Sequence, residues 1–255
     1  MSDTTTPGRK INATENTFDF IEYLHDNGEA TLGELTEEMG LSKGTVHTYL
    51  ATMKNSGYLI QDGNKYRLGL QFLELGEGVR NGIDIIDIVR GSLREIIDKV
   101  GGISWFIVEE GGHAVFVEKA TGKDSVQPYG HVGRRTTLHD IAGGKAILAH
   151  LPESRIDEII AERGLVRKTD QTITREAELR EELAEIREKR YAINDGENLE
   201  GWRAVASPII HEGEVLGSVA VSGPKHRMDG ERFSETIPDL VTAATDEIQL
   251  KILSK

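Results

Sequence analysis

The segment richest in chemical suggestion is Ala142-Gly143-Gly144-Lys145-Ala146, where two residues without side chains open a helix just ahead of a lysine. Backbone N–H groups at such a helix start are open to close approach and the helix dipole favours an anion, so a ligand carboxylate suits it. Tight packing of the helix on a sheet is the competing reading. Glycine followed by lysine also occurs in phosphate-binding loops, but those need a glycine five residues before the pair. That position is His139, and Ala146 replaces the Ser or Thr that would hold magnesium. Nucleotide hydrolysis is excluded. His139-Asp140 could form an acid–base pair or hold a metal, yet no companion stands at ligand spacing, and the expected use of Asp140 is to cap the helix that follows. No nucleophile-elbow, metal-site or dinucleotide pattern is present, and there is no convincing Ser/His/Asp set. The chain contains no cysteine, which removes disulfides, thiolate zinc sites and a cysteine nucleophile. No catalytic residue, metal or cofactor is therefore expected.

A second set of residues points to nucleic acid. Ser42-Lys-Gly-Thr45 opens a helix whose Val46, Leu50 and Met53 recur at i, i+4, i+7. The opposite side carries Gly44, Thr48 and Ala51, flanked by Lys43 and His47. Small, hydrogen-bonding residues on an exposed face suit a major groove: His47 and Thr48 can meet base edges, and Ala51 or the Thr48 methyl a thymine methyl. Ser42, Lys43 and Lys54 are placed for phosphates, with Thr45 in the same first turn.

The elements that must position these groups are legible around them. Asn12 to Leu24 has helical spacing, and Thr31-Leu-Gly-Glu34 is a capping-box start for a two-turn helix that ends at Gly40. With the helix after Ser42 this makes a helix-turn-helix. Tyr58 to Ile60 and Lys65 to Leu68, around an Asp62-Gly63 turn signal, form a β-hairpin wing bearing Lys65 and Arg67. Without the wing, the three helices would equally fit a small helical subdomain packed on the rest of the chain. Leu68 to Val79 and Ile83 to Val100 follow as helical connectors. Beyond them, strand pairs with glycine turns at Gly111-Gly112 and Glu212-Gly213 alternate with helices over Ile141–His150, Glu153–Arg163 and Thr174–Lys189, before a long final helix over Phe233–Leu253. The layout is α/β multi-domain: winged helix over 11–69, helical linker over 70–100, and an α+β domain with an antiparallel sheet over 101–255.

Charge bears on the partner. Against 30 basic residues stand 43 acidic ones, a net −13, which is unusual for a DNA binder. Its distribution matters more. Ile11 to Leu41 holds eight acids and no Lys or Arg, whereas Ser42 to Arg67 holds four cations against Asp62 alone. A pervasively acidic chain without cysteine fits a high-salt cytoplasm, though an ordinary acidic protein reads the same way. No apolar run approaches the ~18 residues of a membrane span, and the polar start MSDTTTPGRK lacks a signal-peptide stretch, so a cytoplasmic protein is expected.

Three stretches carry a family resemblance: ATLGELTEEMGLSKGTVHTYLATMKNSGYL with YRLGLQFLELG, then TLHDIAGGKAILAHLP, then YAINDGENLEGWRAVASPII with GSVAVSGP. In order and spacing they resemble the IclR-type transcriptional regulators. The resemblance implies a winged helix and a GAF-like effector domain. It also implies a homodimer or dimer of dimers on a pseudopalindromic operator, control of a catabolic operon, and a small organic acid as effector. It further implies that the effector meets Ala142, Gly143 and Gly144, with walls from Trp105, Phe106, Asn194, Asp195, Ala204 and Ser222. Trp105 can equally be a plain core aromatic. Three positions depart from the family pattern: Thr48 stands where an arginine is frequent, and Asn194 and Ala204 where several members have aspartate and cysteine. Bidentate guanine reading at Thr48 is lost. The alternatives are an enzyme domain fused to a DNA-binding module and an architectural DNA binder without an effector.

Overall fold

The computed structural model describes residues 10–122 and 130–254, so all of the polar start but Lys10 lies outside the described residues. It divides into two compact units at Gly82/Ile83.

The first unit holds α1 (Asn12–Asn27), β1 (Glu29–Thr31), α2 (Leu32–Met39), α3 (Lys43–Asn55), β2 (Leu59–Asp62), β3 (Lys65–Leu68) and α4 (Gln71–Asn81). Local signals place the helix boundaries. Thr31 Oγ1 accepts from the Glu34 N–H at 3.3 Å while the Thr31 N–H donates to Glu34 Oε2 at 2.7 Å, a complete capping box for α2. Gly40 turns the chain left-handed at φ 61°, and Ser42 Oγ accepts from the Thr45 N–H at 3.2 Å to start α3. Val46, Leu50 and Met53 enter a core with Phe20, Leu24, Leu35 and Leu59. Three details depart from the sequence reading. Helix α1 runs three residues past Leu24 to Gly28, whose N–H returns to the Leu24 carbonyl. Asp62 pairs with Lys65, so the wing turn is Gly63-Asn64, one residue later, with Gly63 supplying the positive φ. A short strand not foreseen, β1, pairs with β3 and completes a sheet of order β1-β3-β2.

The second unit comprises α5 (Ile86–Val100), β4 (Ile103–Glu110), β5 (His113–Thr121), β6 (Arg135–Thr136), α6 (Ala142–Leu148), α7 (Glu153–Arg163), α8 (Glu176–Lys189), β7 (Ala192–Asp195), β8 (Trp202–His211), β9 (Glu214–Pro224) and α9 (Ile237–Leu253). Six antiparallel strands run in the order β6-β5-β4-β9-β8-β7. One sheet face packs on α5 and α9 through residues such as Val89, Leu93, Phe106, Val205, Val219 and Ile248. The other packs on α6, α7 and α8 through Trp105, Ile107, Ala206, Ala220, Ile147, Ile156 and Leu183. Successive strand residues therefore enter different layers, as the pleat requires. Helix α5, expected as the second half of the connector, is part of this core because its apolar stripe is covered by the sheet and α9. Strands β6 and β7, two and four residues long, were not foreseen: unlike β2 and β3, neither is joined to its pairing partner by a short turn that would announce it.

Candidate functional site

The α3 surface has two sides. Val46 and Leu50 are fully buried, whereas Ser42, Lys43, Gly44, Thr45, His47 and Thr48 are exposed, with Ala51 half-buried. Lys54, Lys65 and Arg67 are exposed beside them on the end of α3 and on the wing. Their present partners limit what each offers DNA. Thr48 is exposed and its Oγ1 donates to the Gly44 carbonyl at 3.0 Å, so its hydroxyl hydrogen is used and its oxygen can still accept. Lys54 Nζ donates to Gln61 Oε1 at 2.9 Å, tying α3 to the wing. Lys65 is ion-paired with Glu29 of β1, which raises its pKa and offsets its charge. Arg67 makes only a long contact to the Leu68 carbonyl, at 3.5 Å.

In the second unit, strand register assembles a cavity. Asn194 lies opposite Ala204 and Ala204 opposite Ser222, a row across β7, β8 and β9; Trp105 pairs with Ala220 in the next row on β4 and β9. Helix α6 starts over these residues. The cavity, about 40 Å³, is lined by Trp105, Ile107, Phe116, Arg134, Ile141, Ala142, Gly143, Asn194, Asn198, Trp202, Ala204, Ala220 and Ser222. Six of the nine effector residues expected from the sequence line it: Trp105, Ala142, Gly143, Asn194, Ala204 and Ser222.

Three do not. Phe106 is fully buried on the opposite sheet face, because it alternates with Trp105 along β4. Gly144 is a packing residue: a Cβ there would overlap the Leu138 carbonyl oxygen. Asp195 points to the outer end of the sheet, where Arg203 Nη2 lies at 2.7 Å and Lys225 Nζ at 3.1 Å, and the Arg203 hydrogen bond foremost lowers its pKa.

The retained residues are also partly committed. Gly143 packs closely as well, since a Cβ would sit 2.5 Å from Ile107 Cδ1 and 2.9 Å from Ser218 Oγ. Asn194 Oδ1 accepts from the N–H groups of Gly196 and Glu197 at 3.1 and 3.2 Å, and its Nδ2 donates to the Asp140 carbonyl at 2.5 Å. Its role is to fix the turn behind the cavity. Trp105 is both wall and core: its ring meets Phe116 edge-on at 5.0 Å and its Nε1 donates to Ser222 Oγ at 3.1 Å. Arg134, which the sequence reading missed, is the one charged side chain among the described lining residues; its guanidinium lies 5.9 Å from the Phe116 ring. No local motif marks it. Ile107 and Phe116 were recoverable, because they share Trp105's face by strand alternation and pairing.

Behind α6 the chain buries ions. Lys145 is fully buried, its Nζ 2.7 Å from both Glu197 carboxylate oxygens and paired also with Glu182. Burial, outweighing the lysine, pushes Glu197 up to about 7. Contrary to the sequence expectation, Asp140 does not cap α6: Ile141 is the N-cap residue, and the Asp140 carboxylate instead accepts from Thr137 Oγ1 at 2.9 Å and faces Lys168 Nζ at 2.7 Å. His139 is buried with Nε2 3.2 Å from the Val166 carbonyl, and burial foremost lowers its pKa. Among the described residues, no cluster of three His, Asp or Glu side chains could hold a metal, and no helix is long and apolar enough to cross a membrane.

Two family descriptions match the chain: "IclR helix-turn-helix domain" over residues 13–63 and "Bacterial transcriptional regulator IclR C-terminal" over 78–249. A relative from Halobacterium salinarum, "Probable HTH-type transcriptional regulator ArcR", is 33% identical over 249 residues, covering 96% of this chain and 95% of its own. The solved Thermotoga maritima IclR superposes with a TM-score of 0.80 at 28% identity, over 95% of this chain and 99% of that one. An IclR homolog from Microbacterium hydrocarbonoxydans, solved with 4-hydroxybenzoate, shares the fold at a TM-score of 0.77 and 21% identity, over 89% of this chain and 92% of that one.

Proposed function

Because the chain belongs to the IclR family of transcriptional regulators, whose members are not enzymes, we propose that α3 and the wing read a specific operator under the control of a compact organic acid bound beneath α6. The observation that carries the DNA-binding half is the division of α3: one side is locked in the core, and the other presents Lys43, Gly44, His47 and Thr48 to solvent. His47 and the Thr48 lone pairs meet base edges, Ala51 a thymine methyl, and Ser42, Thr45, Lys54, Lys65 and Arg67 the backbone.

The effector reading rests on what converges at the cavity. The first N–H groups of α6 have no intrahelical partner, Ser222 has a hydroxyl hydrogen to give, and Arg134 brings positive charge, all suited to a carboxylate. The volume of about 40 Å³ holds a few water-sized groups, so a short acid fits without movement. An aromatic acid of the kind in the Microbacterium complex requires the walls to part. Control of a catabolic operon is the corresponding biological role.

Homodimerisation is supported by α4, which buries none of its residues within the chain and leaves Leu73, Leu75 and Val79 exposed. A two-fold dimer presents two recognition helices to a pseudopalindromic site, and effector binding selects one arrangement of them. The acidic composition and the haloarchaeal relative support a salt-rich cytoplasm.

The test is a gel shift of the full chain with its own upstream DNA, titrated with acetate, glyoxylate, pyruvate and 4-hydroxybenzoate. A salt-sensitive complex whose affinity changes with a short acid is expected. DNA binding indifferent to every acid would leave an architectural protein, and no DNA binding at any salt would end the reading.

A further inference from the structure

Lys145 lies in the first turn of the helix that starts over the effector cavity, and it is fully buried. Its ammonium is matched by carboxylate oxygens: Nζ donates to both oxygens of Glu197 at 2.7 Å and also to Glu182. Glu197 is itself buried, and Glu182 is partly exposed. Taking such charges out of water is costly, and apolar residues of similar volume often stabilise as well or better. What a buried pair of this kind adds is a fixed geometry.

The geometry fixed here is that of one cavity wall. The floor is held by strand ladders, which carry Trp105, Ala204, Ala220 and Ser222. The start of α6 is held as well, because the Gly143 carbonyl accepts from Ser218 Oγ at 3.0 Å and Gly143 packs on Ile107. Asn198, by contrast, belongs to the turn between β7 and β8 and lies in neither helix nor strand. That turn hangs on side-chain bonds. Thr169 and Thr172 donate to the Gly196 and Glu197 carbonyls at 2.7 and 2.6 Å, and Asn194 Oδ1 accepts from both N–H groups. The Glu197 carboxylate, beside Asn198 in the chain, joins the turn to α6 through Lys145.

We infer that Glu197 and Lys145 are positioning residues that decide which acids the effector cavity admits: their ion pair clamps the turn 196–198 to α6 and keeps the space to a short acid, and without it that wall moves out far enough for an aromatic one. The inference rests on the effector reading proposed above. With about 40 Å³ between fixed walls, the position of the turn is what sets the size limit.

Isothermal titration calorimetry of the full chain with pyruvate and with 4-hydroxybenzoate gives the preference of the site. The buffer is set at about pH 8, where a carboxyl raised to about 7 carries its charge. Wild type is expected to bind pyruvate more tightly. Glu197→Gln and Lys145→Met/Glu197→Gln should each lower that preference about tenfold, the scale of one charge-assisted hydrogen bond. The double variant leaves no fully buried charge, so its thermal midpoint should stay close to wild type; a pair that only stabilised the fold would leave the preference unchanged there. Glu182→Gln keeps the two-oxygen contact of Glu197 and should leave the preference within about twofold. Hydrogen exchange without ligand reads the clamp directly: in the double variant the amides of residues 196 and 197 should exchange about tenfold faster, with those of β8 and β9 unchanged. The inference is overturned by unchanged exchange at the turn, by a preference unchanged in either Glu197 variant, by an equal loss in Glu182→Gln, or by a wild type that prefers 4-hydroxybenzoate. A wild type that binds neither acid overturns the effector reading, and this inference with it, even where exchange shows the clamp to be present.

Discussion

The salt dependence of operator binding follows from counting the cations on the reading face. The chain presents Lys43, Lys54, Lys65 and Arg67, and Glu29 holds Lys65 in an ion pair. A duplex contact contributes a slope of about −0.9 in log affinity against log salt for each phosphate neutralised, so one chain should show a slope of about −2.7 to −3.6. Among the described residues Arg67 has only a weak side-chain contact, so it is open to DNA. Arg67→Ala should therefore make the slope shallower by about 0.9 for each protomer on the DNA. Over a fourfold rise in salt, wild type then loses about 3.5-fold more affinity per protomer than the variant does. Glu29→Gln is the mirror perturbation: it releases Lys65 and should steepen the slope. Fluorescence anisotropy of a labelled operator across a potassium chloride series measures both. If the Arg67→Ala line runs parallel to wild type, the wing does not lie on the phosphate backbone and the docking geometry is wrong.

Thr48→Ala removes an acceptor and a methyl without breaking a core contact, so it should cost about 1 kcal/mol on the operator and little on scrambled duplex, read by competition anisotropy. Lys145→Met leaves Glu197 buried without its cation. A carboxyl raised from 4.5 to about 7 holds its proton better in the native state, so its contribution to stability is present below its unfolded pKa and is lost as pH rises through about 7. Without Lys145 the group rises further, so the cost of the substitution should be small near about pH 5 and reach about 3–5 kcal/mol above about pH 8 in urea unfolding. Lys145→Met/Glu197→Gln should recover most of that loss, and a cost independent of pH would refute the assignment. Gly144→Ala, which drives a methyl into the Leu138 carbonyl, should cost about 3 kcal/mol or more in thermal unfolding. Gly76→Ala, in open space on α4, should instead stabilise its helix by about 0.5–1 kcal/mol.

Much of the DNA-binding unit was legible because its determinants are local. The Thr31–Glu34 box and the Ser42–Thr45 cap each join residues three apart, and Val46, Leu50 and Met53 announce the buried side of α3 by spacing alone. Short-range hydrogen bonds and helical periodicity are fully specified within a dozen residues. What local pattern could not show is the partner of Lys65, because Glu29 reaches it only through the pairing of β1 with β3.

The second unit divides differently. Strand and helix order were readable from periodicity and from glycine turns, and the family resemblance brought the row Asn194, Ala204 and Ser222 into view. That Trp105 and Phe106 cannot share a cavity was also readable, from the alternation of any strand. The remaining decisions belong to tertiary structure. Arg134 arrives at the cavity from a separate loop, Asp140 spends its charge on Lys168 instead of capping α6, and Asn194 satisfies backbone groups before any ligand does. The sequence by itself determined which helices form, which of their sides are buried and where the positive charge lies, since these depend on neighbours within a few turns. Which side chains face a common space, and which polar groups are already satisfied there, was decided by strand register and helix packing, which join residues more than a hundred positions apart.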